Sequence, residues 1–106
     1  MNTNETFDAA LKNFLDTVWA AFKAQNDKMP MLPNYYQYPT VEAGSKNLRI
    51  VCTSGGSRHV YCFIRKEDGA ILKSASWKAP AKGVRGSIFN PDTYKNADAY
   101  GGAWYR

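Results

Sequence analysis

The chain has 106 residues, enough for one domain with a modest hydrophobic core, so we predict a single domain over residues 1–106. A hydrophobic fraction of 44% argues against a disordered chain, and a net charge of +5 favours an anionic partner. The first ten residues lack the basic and apolar regions of a signal peptide, and the apolar run VWAAF is too short to span a bilayer. We therefore expect an intracellular protein with no membrane partner.

The first predicted element is an amphipathic helix over residues 4–25. Its apolar residues recur three or four positions apart, which is the spacing of one helical face. Pro30 follows soon after Asn26 and cannot continue a helix, so the helix should end near there. We interpret the apolar stripe as a core-packing face rather than a membrane-binding one. The stripe consists of Phe7, Leu11, Phe14, Val18 and Phe22.

Residues 46–77 predict a three-stranded antiparallel meander. The segments NLRIVCTS, RHVYCFIRK and AILKSASW are rich in β-branched and aromatic residues and are separated by GGS and EDG. With the helix, they predict an α+β fold in which one helix packs on the sheet. If both connections are three-residue loops, alternation assigns one face to the helix, namely Leu48, Ile50, Cys52, Val60, Cys62, Ile64 and Leu72.

The opposite face of the meander is predicted to be an aromatic surface with basic residues around it. It would carry Arg49, Val51, Thr53, His59, Tyr61, Phe63, Arg65, Lys73 and Trp77. Aromatic rings on a sheet surface can stack on unpaired bases, and neighbouring cations can neutralise phosphates. An alternative remains open, in which the C-terminal segment covers this face and makes Tyr61 and Phe63 part of a second small core.

The stretch WKAPAKGVRG, residues 77–86, predicts a basic loop that is neither a regular helix nor a regular strand. Its proline and two glycines interrupt regular structure, and the glycines allow close approach of a partner. Lys78, Lys82 and Arg85 would project toward phosphates. The tail over residues 90–106 is aromatic, and we expect Trp104 and Tyr105 to dock on the domain.

Positive charge is concentrated between residues 46 and 85. This segment contains nine Lys or Arg residues and two acids, a net charge of +7, whereas residues 1–40 have a net charge of −1. Such asymmetry is typical of proteins that bind a polyanion, nucleic acid first and an acidic protein surface or anionic membrane second. The alternative is a solvated basic surface that only keeps the protein soluble.

We therefore predict a protein that binds single-stranded DNA or RNA without strong sequence specificity. Tyr61, Phe63 and Trp77 are the predicted stacking residues. The predicted phosphate contacts are Arg49, Arg65, Lys73, Lys78, Lys82 and Arg85. The chain does not indicate an oligomeric state.

Enzymatic activity is not predicted. The chain has one histidine, no Gly-x-Ser-x-Gly motif and no Walker phosphate-binding loop. Cys52 and Cys62 lack the spacing of a metal site and are interpreted as small buried hydrophobic residues. We expect neither a cofactor nor a metal ion.

The segment VYCFIRKEDGAILKSASWKAPAKGVRGSIF resembles a block found in small uncharacterised proteins of tailed bacteriophages. In those proteins a YCF strand, an acidic-Gly turn, SWKAPAK, an RG pair and a terminal YG segment occur together. The resemblance covers roughly the C-terminal half. The matching positions are Tyr61-Cys62-Phe63, Asp68-Gly69, Ser76 to Lys82, Arg85-Gly86 and Tyr100-Gly101.

The resemblance implies a phage origin and a location in the cytoplasm of the bacterial host or in the virion. It also raises a second class of function, a non-enzymatic structural or interaction protein. Such a protein would be a minor virion component or an inhibitor of a host protein. It would use the aromatic and basic face to bind itself, a phage protein or a host protein.

Overall fold

The fold is seen in a computed structural model that describes residues 3–32 and 34–95; for residues 3–6 it describes the backbone alone. One helix precedes five strands, which confirms the predicted α+β class. Trp104 and Tyr105, expected to dock on the domain, lie outside the described residues. The elements are α1 (Thr3–Asp27), β1 (Thr40–Ala43), β2 (Asn47–Ser54), β3 (Ser57–Arg65), β4 (Ala70–Ser74), β5 (Pro80–Ser87) and a 3₁₀ helix (Pro91–Thr93).

Helix α1 covers one face of the sheet with the predicted apolar stripe. Phe14, Val18 and Phe22 are fully buried, and Phe7 and Leu11 pack at the margin of the same core. In the last turn of the helix, the Asn26 side chain bonds twice to the backbone of Tyr36, as donor to its carbonyl and as acceptor from its N–H, both at 2.9 Å. These bonds fix the direction in which the chain returns to the sheet.

Within the described residues, no helix combines the length and apolarity needed to cross a membrane.

The sheet is antiparallel, and its five strands follow the chain order β1-β2-β3-β4-β5. The prediction of three strands over residues 46–77 is therefore wrong in extent. It missed β1, which has only four residues, and β5, whose proline and glycines give it low strand propensity. Strand β5 forms by pairing with β4 at the sheet edge, where proline is tolerated, and its register shifts twice.

The segment predicted as a basic loop over residues 77–86 is thus mostly a strand. Only the first three of its residues precede β5, and Lys82 and Arg85 lie on β5 itself. Gly83 has φ = 97°, a conformation that favours glycine and that accompanies the irregular pairing. Strand pairing rather than local sequence preference therefore determines the structure here.

The register of β2 and β3 differs from the prediction at the turn end of the hairpin. Gly55 and Gly56 form a two-residue turn with φ values of 58° and 83°, so Ser54 pairs with Ser57. Ile50 pairs with Cys62 but Val51 pairs with Val60, so Tyr61 is the extra residue of a β-bulge. The bulge compensates for the shorter turn and returns Cys62 to the predicted helix-facing side.

The connection from β3 to β4 is also not the predicted three-residue loop. Phe63 pairs with Leu72 and Ile64 pairs with Ile71, which moves Leu72 to the side away from the helix. Leu48, Ile50, Cys52, Cys62 and Ile64 face the helix as predicted, whereas the assignment of Val60 and Leu72 to that face is wrong. A second small cluster lies on the other side, formed by Val60, Phe63, Ala70 and Leu72.

The segment after β5 returns to α1. Tyr94 is buried, its ring lies edge-on to Phe14 at 5.1 Å between centroids, and its hydroxyl accepts a 2.6 Å hydrogen bond from the Asn13 side chain. Ile88 is buried in the same core. The helix therefore packs against both the sheet and the start of the C-terminal segment, and the opposite face of the sheet lies away from it.

Candidate nucleic-acid interface

Trp77 lies in the short loop between β4 and β5. The backbone N–H groups of Ala75 and Ser76 both donate to the Ala79 carbonyl at 3.1 Å. The Ser76 hydroxyl accepts from the backbone N–H groups of Lys78 and Ala79, at 3.3 Å each. These bonds close the loop on itself and hold Trp77 at its turn, where 38% of the residue remains exposed.

Two arginines lie beside the Trp77 ring. Arg49 on β2 and Arg58 on β3 place their guanidinium carbons 4.9 Å and 5.4 Å from the ring centroid, within the range of cation–π attraction. Arg49 also donates from Nε to the Trp77 carbonyl oxygen at 2.8 Å. Contacts to both the ring and the backbone therefore fix the position of Trp77 over the sheet.

Glu42 joins the two arginines. It lies on β1 directly opposite Arg49, and its Oε1 accepts from Arg49 Nη1 at 2.9 Å while its Oε2 accepts from Arg58 Nη2. The hydrogen bond from Arg49, and to a lesser extent the one from Arg58, holds the pKa of the Glu42 carboxyl below its usual value. The carboxylate is thus ionised at neutral pH, and the three side chains together carry a net charge of +1.

A groove of about 350 Å³ lies next to this cluster, between the β1–β2 turn and the loop that carries Trp77. Lys46, Arg49 and Lys78 line it together with one carboxylate, Glu42, and with the buried ring of Phe63 at its floor. An excess of cations in a groove of this kind suits a phosphate group. We call this surface the Trp77 face, and it consists of Glu42, Lys46, Arg49, Arg58, Trp77 and Lys78.

Of the predicted site residues, Arg49, Trp77 and Lys78 come together on the Trp77 face. Lys82 is exposed on β5 and Arg85 is partly buried there. Lys73 follows Leu72, so alternation directs it to the helix-facing side rather than to the predicted basic face.

The prediction that Tyr61 and Phe63 lie on an open face is wrong. The bulge turns Tyr61 into the core, where it is 3% exposed and its ring lies 5.6 Å from that of Phe22. Phe63 is on the expected side but is also 3% exposed, packed with Ala70 and Leu72. Neither ring offers a surface on which a base can stack. Phe63 belongs to a second small core and Tyr61 to the main one, while residues 96–106 of the C-terminal segment that the alternative placed over this face lie outside the described residues.

Arg65 is bound within its own turn. Its Nε and Nη2 donate to the two carboxylate oxygens of Asp68 at 3.0 Å and 2.7 Å. Hydrogen bonds from Arg65, and to a lesser extent from the Ala70 backbone, lower the pKa of Asp68 to about 2. The charge of Arg65 is therefore balanced locally by Asp68, which weakens the attraction of Arg65 for a phosphate.

Sequence reasoning missed Glu42, Lys46 and Arg58 as members of the site. Arg58 contributes to the basic segment but would lie on the helix-facing side if GGS were a three-residue loop. The Gly55-Gly56 pair is the signal that could have found it, because a two-residue turn places Arg58 opposite Thr53 on the Trp77 side. Nothing in the sequence around Glu42 indicates a strand paired with Arg49.

The described residues contain no group of three or more His, Cys, Asp or Glu side chains arranged to hold a metal ion. Cys52 and Cys62 are free and buried. Burial raises the pKa of Cys52 to about 11 and the pKa of Cys62 further, so both remain protonated thiols at neutral pH.

Comparison with known proteins leaves the geometry as the main guide to function. No curated protein and no solved structure matches the chain. A family match extends over residues 3–106, nearly the whole sequence. The chain therefore belongs to DUF7717, a family of unknown function.

Proposed function

We propose that this protein binds single-stranded DNA or RNA, without strong sequence specificity, through the Trp77 face. The observation that carries the proposal is an exposed tryptophan held by two arginines next to a groove lined by Lys46, Arg49 and Lys78. The basic segment between residues 46 and 85, with its net charge of +7, gives this surface its electrostatic context.

A single strand fits the Trp77 face better than a duplex does. An exposed ring stacks on a base only if that base is unpaired, and each such stack contributes about 1–3 kcal/mol. Every base has a π-face, so stacking on Trp77 would discriminate little between sequences. With Tyr61 and Phe63 buried, the proposed site has one stacking residue, and cationic contacts to phosphates supply the remaining affinity.

The proposed phosphate contacts are Lys46 and Lys78 in the groove, with Lys82 beyond it on β5. Lys78 follows Trp77 directly, so a base stacked on Trp77 would carry its phosphate toward the groove. Such contacts release counterions, and affinity should fall with salt by a slope of about −0.7 for each phosphate neutralised.

We also propose a phage origin for the protein and a location in the bacterial cytoplasm or the virion. Support for this comes from the block running from Val60 to Phe89 and its resemblance to small tailed-phage proteins. In that setting, single strands produced during replication or transcription of the phage genome would be available ligands.

The first test is fluorescence anisotropy of a labelled single strand titrated with protein at several salt concentrations. We expect salt-dependent binding by the wild type. The double variant Lys46→Ala/Lys78→Ala should bind more weakly and should lose about 1.4 from the slope, since each lysine accounts for about 0.7.

The matched control is Lys23→Ala/Lys28→Ala, which removes the same charge from exposed lysines on α1 and just after it, outside the lining of the groove. It should keep the wild-type slope. Absence of wild-type binding at low salt would contradict the proposal, as would equal losses in the two double variants.

A structural or interaction protein is the second candidate, and an apolar groove favours it. This groove, of about 760 Å³, lies on the helix side of the sheet, and its floor and walls include Phe7, Leu11, Val41, Leu48 and Phe89. Val41 and Phe89 are 38% and 40% exposed, as residues at protein contacts often are. Light scattering on the nucleic-acid-free protein separates the candidates, because a discrete large assembly would favour this one.

A further inference from the structure

We propose that Glu42 is an internal competitor for the phosphate groups of a bound strand. Its carboxylate accepts hydrogen bonds from both arginines of the Trp77 face, and a phosphate would compete with it for those donors. This inference rests on the proposed function and adds to it a regulation of the same site.

The hydrogen bonds around Glu42 are those that a phosphate would make. Each carboxylate oxygen accepts from one arginine, Oε1 from Arg49 and Oε2 from Arg58. Guanidinium groups bind carboxylates and phosphates through the same N–H donors and with similar geometry. Of the five N–H donors of Arg49, Nε bonds to the Trp77 carbonyl and one on Nη1 bonds to Glu42, so Glu42 keeps that donor from a phosphate only while it stays bound.

The sheet keeps the competitor in place. Glu42 and Arg49 are cross-strand partners in the β1–β2 pair, and Arg58 lies on the neighbouring strand β3. Because these positions are fixed by backbone pairing, Glu42 faces the arginines at a high effective concentration and loses little entropy on binding them. A phosphate is not held beside the arginines in this way, so other contacts of the strand must supply part of its binding free energy.

The charge of Glu42 also reduces the attraction of the whole site. Among the described residues that line the groove, Glu42 supplies the single carboxylate, against Lys46, Arg49 and Lys78. Its side chain is 38% exposed, so it lies where an entering phosphate would pass. A strand should therefore engage the lysines first and gain the arginine donors that Glu42 holds only by moving Glu42 aside.

The variant Glu42→Gln tests this inference in the same anisotropy titration. It keeps the side-chain length but removes the charge and leaves one arginine without an acceptor. We expect binding to become about three- to fivefold tighter at moderate salt, the size of effect of one exposed ion pair. The salt slope should become steeper by up to about 0.7, one additional phosphate contact.

The matched control is Glu67→Gln, the same charge change at an exposed residue in the β3–β4 turn on the other groove. It should alter affinity by less than the Glu42 variant and leave the slope unchanged. Glu42→Thr removes the carboxylate as well, with a residue that favours a strand, and should give the same increase in affinity.

Equal effects of Glu42→Gln and Glu67→Gln would overturn the inference, because general electrostatics would then suffice. Weaker binding by both Glu42 variants would also overturn it, since Glu42 would then be ordering the arginines for the ligand. Either result leaves the proposed function intact provided that the wild type binds. If neither the wild type nor the Glu42 variants bind at low salt, the proposed function itself fails and the inference falls with it.

Discussion

Asp68 is a carboxyl group whose ionisation depends on the fold. Its carboxylate accepts two hydrogen bonds from Arg65 and a third from the Ala70 backbone at 3.1 Å, and its pKa falls from 3.8 to about 2. A carboxyl group whose pKa is lower in the folded state stabilises the protein above the unfolded pKa. That contribution disappears as the pH falls through the folded value.

We therefore expect part of the stability of the wild type to be lost between about pH 4 and pH 2 through Asp68. Asp68→Asn should be less stable at neutral pH and should show a flatter dependence over that range. Urea unfolding at several pH values measures this, with the exposed Asp92→Asn as control. If the stability of Asp68→Asn declined with falling pH as steeply as that of the wild type, the role given to this carboxylate would be contradicted.

Tyr61 is a structural residue in the fold rather than a ligand-binding one. Because it is buried against Phe22, Tyr61→Ala should lower the free energy of unfolding by about 3–5 kcal/mol, the usual cost of truncating a buried aromatic. Tyr61→Phe keeps the ring and should leave nucleic-acid affinity at the wild-type value. Denaturant unfolding measures the first result and anisotropy the second. A loss of affinity in Tyr61→Phe without a loss of stability would show that Tyr61 takes part in binding.

At the scale of elements, Thr93 joins the 3₁₀ helix to the end of β5. Its hydroxyl accepts from the Ser87 N–H at 3.0 Å and also lies within hydrogen-bond distance of the Ser87 and Asn90 carbonyls, at 3.0 Å and 2.7 Å. Gly86 lies so close that an added Cβ would stand 2.8 Å from the same oxygen. The edge strand is thus anchored where its own propensity is low.

Thr93→Val removes these hydrogen bonds while nearly keeping the side-chain volume. We expect the free energy of unfolding to fall by about 1–3 kcal/mol, because the partly buried Ser87 N–H loses its acceptor. Thr40→Val, at an exposed position of β1, is the matched control and should change stability little. Equal stabilities of the two variants in urea would show that Thr93 does not anchor β5.

The elements that the sequence predicts are those whose pattern is local. The spacing of Phe14, Val18 and Phe22 is enough to define the buried face of α1, and alternation correctly groups Leu48, Ile50 and Cys62. Cross-strand pairing decides the rest. A bulge at Tyr61 depends on the partner strand, and β5 forms despite Pro80 and its glycines because β4 offers an unpaired edge.

The candidate site is only partly predictable for the same reason. Trp77 and Lys78 are adjacent in sequence, and Arg49 alternates with core residues, so these three could be found. Glu42 and Arg58 join them through the register of three strands, which two loop lengths and one bulge determine together. A one-residue error in a loop exchanges the faces of a strand, and that error placed Leu72 incorrectly.

At the scale of the whole molecule, the two sides of the sheet differ in chemistry. The side away from α1 presents Trp77 with lysines and arginines, whereas the groove on the helix side includes the carboxylates of Asp8, Glu67 and Asp68 in its lining. A nucleic-acid strand would therefore be attracted to one side and repelled from part of the other. We propose that this one side combines stacking on Trp77 with cationic contacts to phosphates.

The most direct test compares two labelled single strands, one of thymidines and one of abasic nucleotides with the same number of phosphates. The wild type should bind the thymidine strand about 5- to 150-fold more tightly, the value of one base stacked on an aromatic ring. Trp77→Ala should bind both strands equally, at the weaker affinity. Equal binding of both strands by the wild type, or no binding of either at low salt, would contradict the claim.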